Sequence, residues 1–341
     1  MVKPSLGCDP EIFVKSKAKL LPAFDFLPSK DAGLKVGHPD VELNSGELYW
    51  DGFQAEWKLS RGWTCLNFMI MLQQNFLKEL LKQARARDNS AKLSLDSVVK
   101  IPTKLMNSLL DGYVELGCMP SYNAYGEERL YVGDPRALLY RFAGGHVHLE
   151  VGEKRDNKWY EDLVKTFDAI LGIWAVGAAA SFDSPVRRQY YGKAGEHRRP
   201  KYALNRYGIE YRTLSNFWIC SPFVMRMVFE LARKVLMDVR YGEKIYWNPI
   251  GDEVKAIINE GDVVAARKIL KANKSFFSFI GKSSGDRLFK TGMHGIESVL
   301  KTPEDIESNW KLTDGGLWSY DMVDTTIQLR ANLKNERFHI A

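Results

Sequence analysis

The sequence predicts an α+β protein with a largely antiparallel sheet flanked by helices. Three observations carry this. Segments of strict two-residue alternation recur along the first two thirds of the 341 residues. Two long segments have helical periodicity with matching end signals. The two kinds of segment are mixed without the regular strand–helix–strand order of a parallel sheet.

Each element follows from its local pattern. "GCDPEIFVK" (7–15) reads as a first strand, with Asp9 and Glu11 on one face and Ile12 and Val14 on the other. "LPAFDFLPSKDAGLKVGHP" (21–39) has the Pro and Gly content of a loop. "ELYWDGFQAEWKLS" (47–60) alternates again, setting Glu56 with Gln54 and Lys58 opposite Phe53, Ala55 and Trp57. Residues 64–87 form an amphipathic helix, with Thr64 as its expected cap and basic residues in its last turn. "DGYVELGCMP" (111–120) returns to strand, with Glu115 between Val114 and Leu116.

"FAGGHVHLEVG" (142–152) puts His146, His148 and Glu150 in one row and Val147, Leu149 and Val151 in the other. Gly144 and Gly145 before it permit a bulge or a close approach by another chain or a ligand. An apolar helix follows at about 159–181, and "YGIEYRTLSNFW" (207–218) sets Glu210 and Arg212 on one strand face. "SPFVMRMVFELARKVLMDVRYG" (221–242) starts with Ser221 as N-cap and Pro222 in the first turn, and ends before Gly242. From about 249 onward the pattern is short helices and turns, so a main domain over 1–240 and a helical or irregular extension over 241–341 packing on it are expected.

The composition sets limits. It is 45% apolar and 26% charged, enough for a core without disulfide or metal staples. The longest apolar run, at 169–180, is too short to span a bilayer, and the opening residues have no secretory h-region. The four cysteines form no CxxC pair, which points to a reducing compartment. The net charge of +6 is uneven: "RRQYYGKAGEHRRPK" (187–201) holds six Lys/Arg against one Glu. With its tyrosines, that block can bind nucleic acid, phosphate groups or only solvent.

Each acid- or His-bearing strand, alone, is as well explained by a wet face. Together, Asp9 and Glu11, Glu56, Glu115, His146 and His148, and Glu210 with Arg212 would lie side by side on one sheet. Carboxylates that close repel unless a cation sits among them, and oxygen ligands with imidazole suit Mg²⁺ or Mn²⁺. Arginines over such a sheet suit nucleotide triphosphate chemistry.

In this order, "GCDPEIF", "DGFQAEW", "ELGCMPSYNAY", "AGGHVHLEVG", "RRQYYGKAGEHR" and "YGIEYRTLSNFW" resemble the phage-encoded carboxylate–amine ligases of the glutamine synthetase-like superfamily. The resemblance covers roughly residues 5–220. It implies a glutamine synthetase-like sheet on which ATP phosphorylates a substrate carboxylate and an amine displaces the phosphate. It further implies Asp9, Glu11, Glu56, Glu115, His146 and Glu210 as metal ligands. His148, Arg187, Arg188, Arg198 and Arg212 are implied at the nucleotide, and Glu56, Arg199 and Arg212 in catalysis. Asp9 stands where glutamine synthetase has the longer Glu, which would move that metal or interpose a water.

The expected cofactors are therefore ATP with Mg²⁺ or Mn²⁺, and the expected partners a small-molecule or peptide carboxylate and an amine. No membrane partner and a cytoplasmic location (the host's, for a phage protein) are expected. Two alternatives remain: an ATP-dependent phosphotransferase of guanidino-kinase type on the same scaffold, and a nucleic-acid-binding protein using the 187–201 block.

Overall fold

Strand β1 (Leu6–Ser16) is the centre from which the architecture grows, because its alternation satisfies two environments at once. Leu6, Cys8, Ile12 and Val14 enter the main core, while Asp9 and Glu11 face the other way. The computed structural model describes residues 4–38, 41–60, 62–114, 121–127, 134–179, 182–241, 253–273 and 318.

The further strands are β2 (Lys19–Leu21), β3 (Leu34–His38), β4 (Val41–Asp51), β5 (Gln54–Leu59), β6 (Ala91–Ser94), β7 (Val98–Lys100), β8 (Tyr122–Asn123), β9 (Tyr140–Phe142), β10 (Gly145–Gly152), β11 (Glu196–Arg198), β12 (Lys201–Ala203) and β13 (Arg206–Tyr211). The helices are α1 (Leu66–Arg87), α2 (Thr103–Ser108), α3 (Asp111–Val114), α4 (Asn157–Phe167), α5 (Ile173–Ala178), α6 (Pro185–Tyr190), α7 (Pro222–Arg240), α8 (Val254–Glu260) and α9 (Val263–Ala272).

Among the described residues the main sheet runs β3-β4-β5-β1-β10-β13-β11-β8, with β12 added to β13 and β2 and β6 added to β1. Every pairing is antiparallel. The predicted α+β class is what the chain adopts. One face of the sheet is apolar and covered: α1, α4, α5 and α7 contribute to the same core as Trp57, Val147, Leu149 and Ile209. Trp57 stacks on Phe76 of α1 at 5.7 Å, and its indole N–H donates to Gln73 (2.7 Å). The other face carries the polar rows.

The end signals of α7 hold: the Ser221 hydroxyl accepts from Val224 N at 3.1 Å, and Pro222 opens the helix. Helix α1 instead starts after Cys65, without a side-chain cap. Two expectations are corrected. Residues 34–38, read as loop, form edge strand β3, because pairing with β4 overrides their Gly content. Asp111–Val114, read as strand, is the short helix α3. Val114 is buried in a small separate cluster with Phe13, Phe53 and Met106, and its carbonyl accepts from Arg141 (2.8 Å) rather than from a neighbouring strand. Glu115 lies outside the described residues.

The apolar helix is interrupted by one π turn, Asp168–Gly172, between α4 and α5. Asp168 is fully buried there and accepts from the Tyr211 hydroxyl at 2.7 Å and from Thr213 at 3.2 Å. Helices α8 and α9 join the same core through Ile258, Ala266 and Leu270, with α9 against α5.

Gly145 is required by a close approach. A Cβ there would stand 2.4 Å from both the Ser215 carbonyl oxygen and Trp218 Nε1. The approach comes from the chain itself, not from a ligand. Gly145→Ala is expected to cost about 1–3 kcal/mol, read as a lowered denaturant midpoint with an unchanged m value.

Burial pushes the Asp168 carboxyl up to about 7, against the hydrogen bonds that favour its charge. In the unfolded chain it titrates near ~3.9, so between these values the folded state holds the extra proton. Stability is therefore expected to fall as pH rises from about 4 to about 7. Asp168→Asn keeps an oxygen acceptor for Tyr211 and should flatten that slope in urea unfolding. An unchanged slope would assign it to other groups.

Candidate active site

The polar face of the sheet is assembled by register. Antiparallel pairing sets Asp9 opposite His146 and Glu11 opposite Glu56. It also sets His148 opposite Glu210, and Glu210 opposite Arg198. Paired residues share a face, so residues spread over more than 200 positions of sequence meet on adjacent strands. Glu11, Glu56, His146, Glu210 and Arg212 are buried; Asp9 and His148 are half-buried.

Asp9 is the hub. One of its oxygens lies 3.0 Å from His146 Nδ1 and 2.9 Å from His148 Nε2. Burial alone would raise Asp9, but the two imidazoles hold its carboxyl well below the usual carboxylate range. Glu210 is also held low, against burial and the Asp9 charge, by His146, His148 and Arg212. It forms a close ion pair with Arg212 Nη1 and lies 3.5 Å from Arg198 Nη1.

Glu11 and Glu56 behave oppositely. Burial raises Glu11, and burial with the charges of Asp51 and Asp9 pushes Glu56 well above the carboxylate range. Glu56 accepts from the Tyr49 hydroxyl (2.7 Å) and has Lys30 Nζ 3.8 Å away. Glu11 accepts from Gly144 N at 2.6 Å and from the Tyr191 hydroxyl at 2.9 Å.

Among the described residues, two groups have donor atoms close enough to hold a cation: Asp9, His148 and Glu210, and separately Glu11, Asp51 and Glu56. Carboxylate oxygens with at most one imidazole are the donor set that Mg²⁺ or Mn²⁺ takes. Burial dominates at Glu11 and Glu56 even with His146, Arg212 and Lys30 near them, and a cation held between such acids would lower both. A cleft of about 450 Å³ opens on this face, bounded by Asp9, Glu56, His148, Lys30, Tyr202 and Arg206.

Several expected roles fall elsewhere. Arg187 and Arg188 are buried and turned onto Asp183, at 2.9 and 2.5 Å, because α6 carries them into the core. This corrects the expectation that they line a phosphate site. On β11, alternation sends Arg198 to the acids but Arg199 to the opposite face. There Arg199 lies between the rings of Tyr122 (4.2 Å) and Tyr160 (4.6 Å) and donates to Asn157, which corrects its expected catalytic place. Arg187 and Arg188 are thus withdrawn from solvent and Arg199 is half-buried against two rings, so the basic block presents fewer cations to solvent than its sequence contains. Glu150 ends the HVH row in an ion pair with Arg206 (2.7 Å) and a bond from Ser5.

Two participants went unread in the sequence. Asp51 was marked by the two-residue turn in "WDGFQ", with Gly52 at φ 62°, which pairs Asp51 with Gln54 beside Glu56. Tyr191 had no such signal.

A sheet face on which the acids of neighbouring strands meet His146, His148, Arg198 and Arg212 defines an α+β protein with an acidic face partly balanced by its own cations. The chain belongs to the family described as "Phage phiEco32-like COOH.NH2 ligase-type 2", whose model matches residues 134–312, and this is a family of carboxylate–amine ligases. The match includes β10 to β13 and continues to residue 312, past residue 220 where the sequence motifs had stopped. Among solved structures, the chain is similar to one titled "Crystal structure of the complex between Prokaryotic Ubiquitin-like Protein Pup and its Ligase PafA". The identity is 11% and the TM-score 0.46, over 97% of this chain and 70% of that one. No curated protein matches the chain in sequence. Among the described residues, no helix is long and apolar enough to cross a membrane.

Glu210 and Arg212 are expected to be energetically inseparable. An exposed pair would contribute about 0–1 kcal/mol, but Arg212 is 2% exposed and Glu210 4%. Removing one partner leaves a buried charge, so each of Glu210→Gln and Arg212→Gln should destabilise by about 3–5 kcal/mol. The double variant should cost at least ~1 kcal/mol less than the sum. Chemical denaturation of the four proteins measures it.

Proposed function

We propose that the protein joins a carboxylate to an amine with ATP, through an acyl phosphate, on a glutamine synthetase-like sheet. One observation carries the reading: in a chain of the carboxylate–amine ligase family, four neighbouring strands place Asp9, Glu11, Glu56, His148 and Glu210 on one face, with Arg198 and Arg212 beside Glu210.

In this reading Asp9, His148 and Glu210 hold one divalent cation and Glu11, Asp51 and Glu56 another. Bound there, such cations would supply neutralisation of phosphate charge. Arg212 and Arg198 are the guanidinium groups placed to hold a transferring phosphoryl group, whose charge planar forks match well. A carboxylate is a poor electrophile; phosphorylation gives it a leaving group, and the amine then expels phosphate. The amine must lose a proton as it attacks. Glu56, which lines the cleft, is the carboxylate we assign to receive it at a side-chain oxygen. The 450 Å³ cleft gives the substrates access to this face and excludes part of the bulk water. The substrates proposed are a small-molecule or peptide carboxylate and an amine.

Calorimetry is expected to find ATP binding with Mg²⁺ that EDTA abolishes. Incubation with ATP, Mg²⁺ and pooled amino acids and polyamines should yield ADP, phosphate and a condensation product one water lighter than its parents. Metal-independent ATP binding would contradict the cation sites. A phosphorylated acceptor instead of an amide would make the protein a phosphotransferase.

A further inference from the structure

Tyr191 occupies a position that the proposed chemistry does not by itself require. It follows α6 and precedes Gly192, which holds a positive φ of 74°. Its ring is 3% exposed. The hydroxyl donates to Glu11 Oε1 at 2.9 Å, lies 2.5 Å from His146 Nε2, and receives Arg212 Nη2 at 3.3 Å. The Arg212 guanidinium stands 5.2 Å from the ring centre. Gly144 N donates to the second Glu11 oxygen, and His146 Nδ1 meets Asp9. A continuous chain of hydrogen bonds therefore runs Asp9–His146–Tyr191–Glu11. Its two ends belong to the two different acid groups.

We infer that Tyr191 is a positioning residue that fixes Glu11 and His146, so that the two cation groups form as one unit rather than independently. The inference rests on the proposed cation sites. It concerns how this chain's own side chains prepare them: Glu11 has only two oxygens, and without the hydroxyl one is unoriented. His146 in turn orients Asp9 only while its own ring is held. Outer-shell partners of this kind change metal affinity by about 10–100-fold when removed.

The experiment titrates Mn²⁺ into the wild-type protein and Tyr191→Phe by calorimetry, with thermal melts of both in EDTA. Tyr191→Phe keeps the ring packed and removes only the hydroxyl. Gly144→Ala crowds the same hydroxyl–imidazole contact, because its Cβ would stand 2.6 Å from His146 Nε2 and 2.9 Å from the Tyr191 hydroxyl oxygen. The expected result is a 10–100-fold loss of Mn²⁺ affinity in Tyr191→Phe, with a melt in EDTA close to wild type, and a loss in the same direction in Gly144→Ala. Unchanged Mn²⁺ binding in Tyr191→Phe overturns the inference while leaving the cation sites standing. Lower affinity that only parallels a lower melting temperature also overturns it, since that is loss of packing. A wild-type protein that takes up no Mn²⁺ overturns the inference and the cation sites together.

Discussion

The pairing of β1 with β10 sets Asp9 opposite His146 and within reach of His148, and the chemistry of the whole face hangs on this contact. The Asp9 carboxyl is held low although half-buried because two imidazoles flank it. Shift the register by one residue and the acids would enter the apolar core while Cys8 and Val147 faced the cleft. The apolar face therefore enforces the polar one: Leu6, Ile12, Val147 and Leu149 cannot leave the core without exposing large apolar area. Register is held by hydrophobic burial, and the site is its by-product.

The same face shows how buried charge is handled in two ways. On the β10–β13 side, acids are balanced by protein cations: Glu210 with Arg212 and Arg198, Glu150 with Arg206. On the β4–β5 side, Lys30 lies 3.8 Å from Glu56 and the charges of His146 and Arg212 act on Glu11, yet Glu56 is still forced upward. A surplus of negative charge at one end and an arginine pair at the other is an electrostatic gradient along the sheet. It suits a reactant with both an anionic and a cation-bound portion.

Inside the fold, several arginines serve structure. Arg187 and Arg188 neutralise Asp183 in the core, and Arg141 collects carbonyls of Leu138, Tyr140, Val114 and Pro135. Arg199 lies between two tyrosine rings. In sequence they are indistinguishable from Arg198 and Arg212. What separates them is which side of a helix or strand meets the core, and neighbours in a run such as "HRR" necessarily point to opposite faces.

Local pattern by itself determined the alternating strands of β1, β5, β10 and β13, the α7 boundaries and the polar rows they carry. Period and capping are properties of a few consecutive residues, so a single sequence reveals them. It also determined that Asp9, Glu11, Glu56, His146, His148, Glu210 and Arg212 lie on strand faces opposite apolar residues. Only the tertiary structure decided that β5, β1, β10 and β13 are neighbours, that both His146 and His148 reach Asp9, and that Asp51 and Tyr191 enter the site. It alone sent Arg187, Arg188 and Arg199 away and made helix of residues 111–114. Those outcomes depend on which segments pair across long stretches of chain, and pairing energy is set by partners that no local window contains.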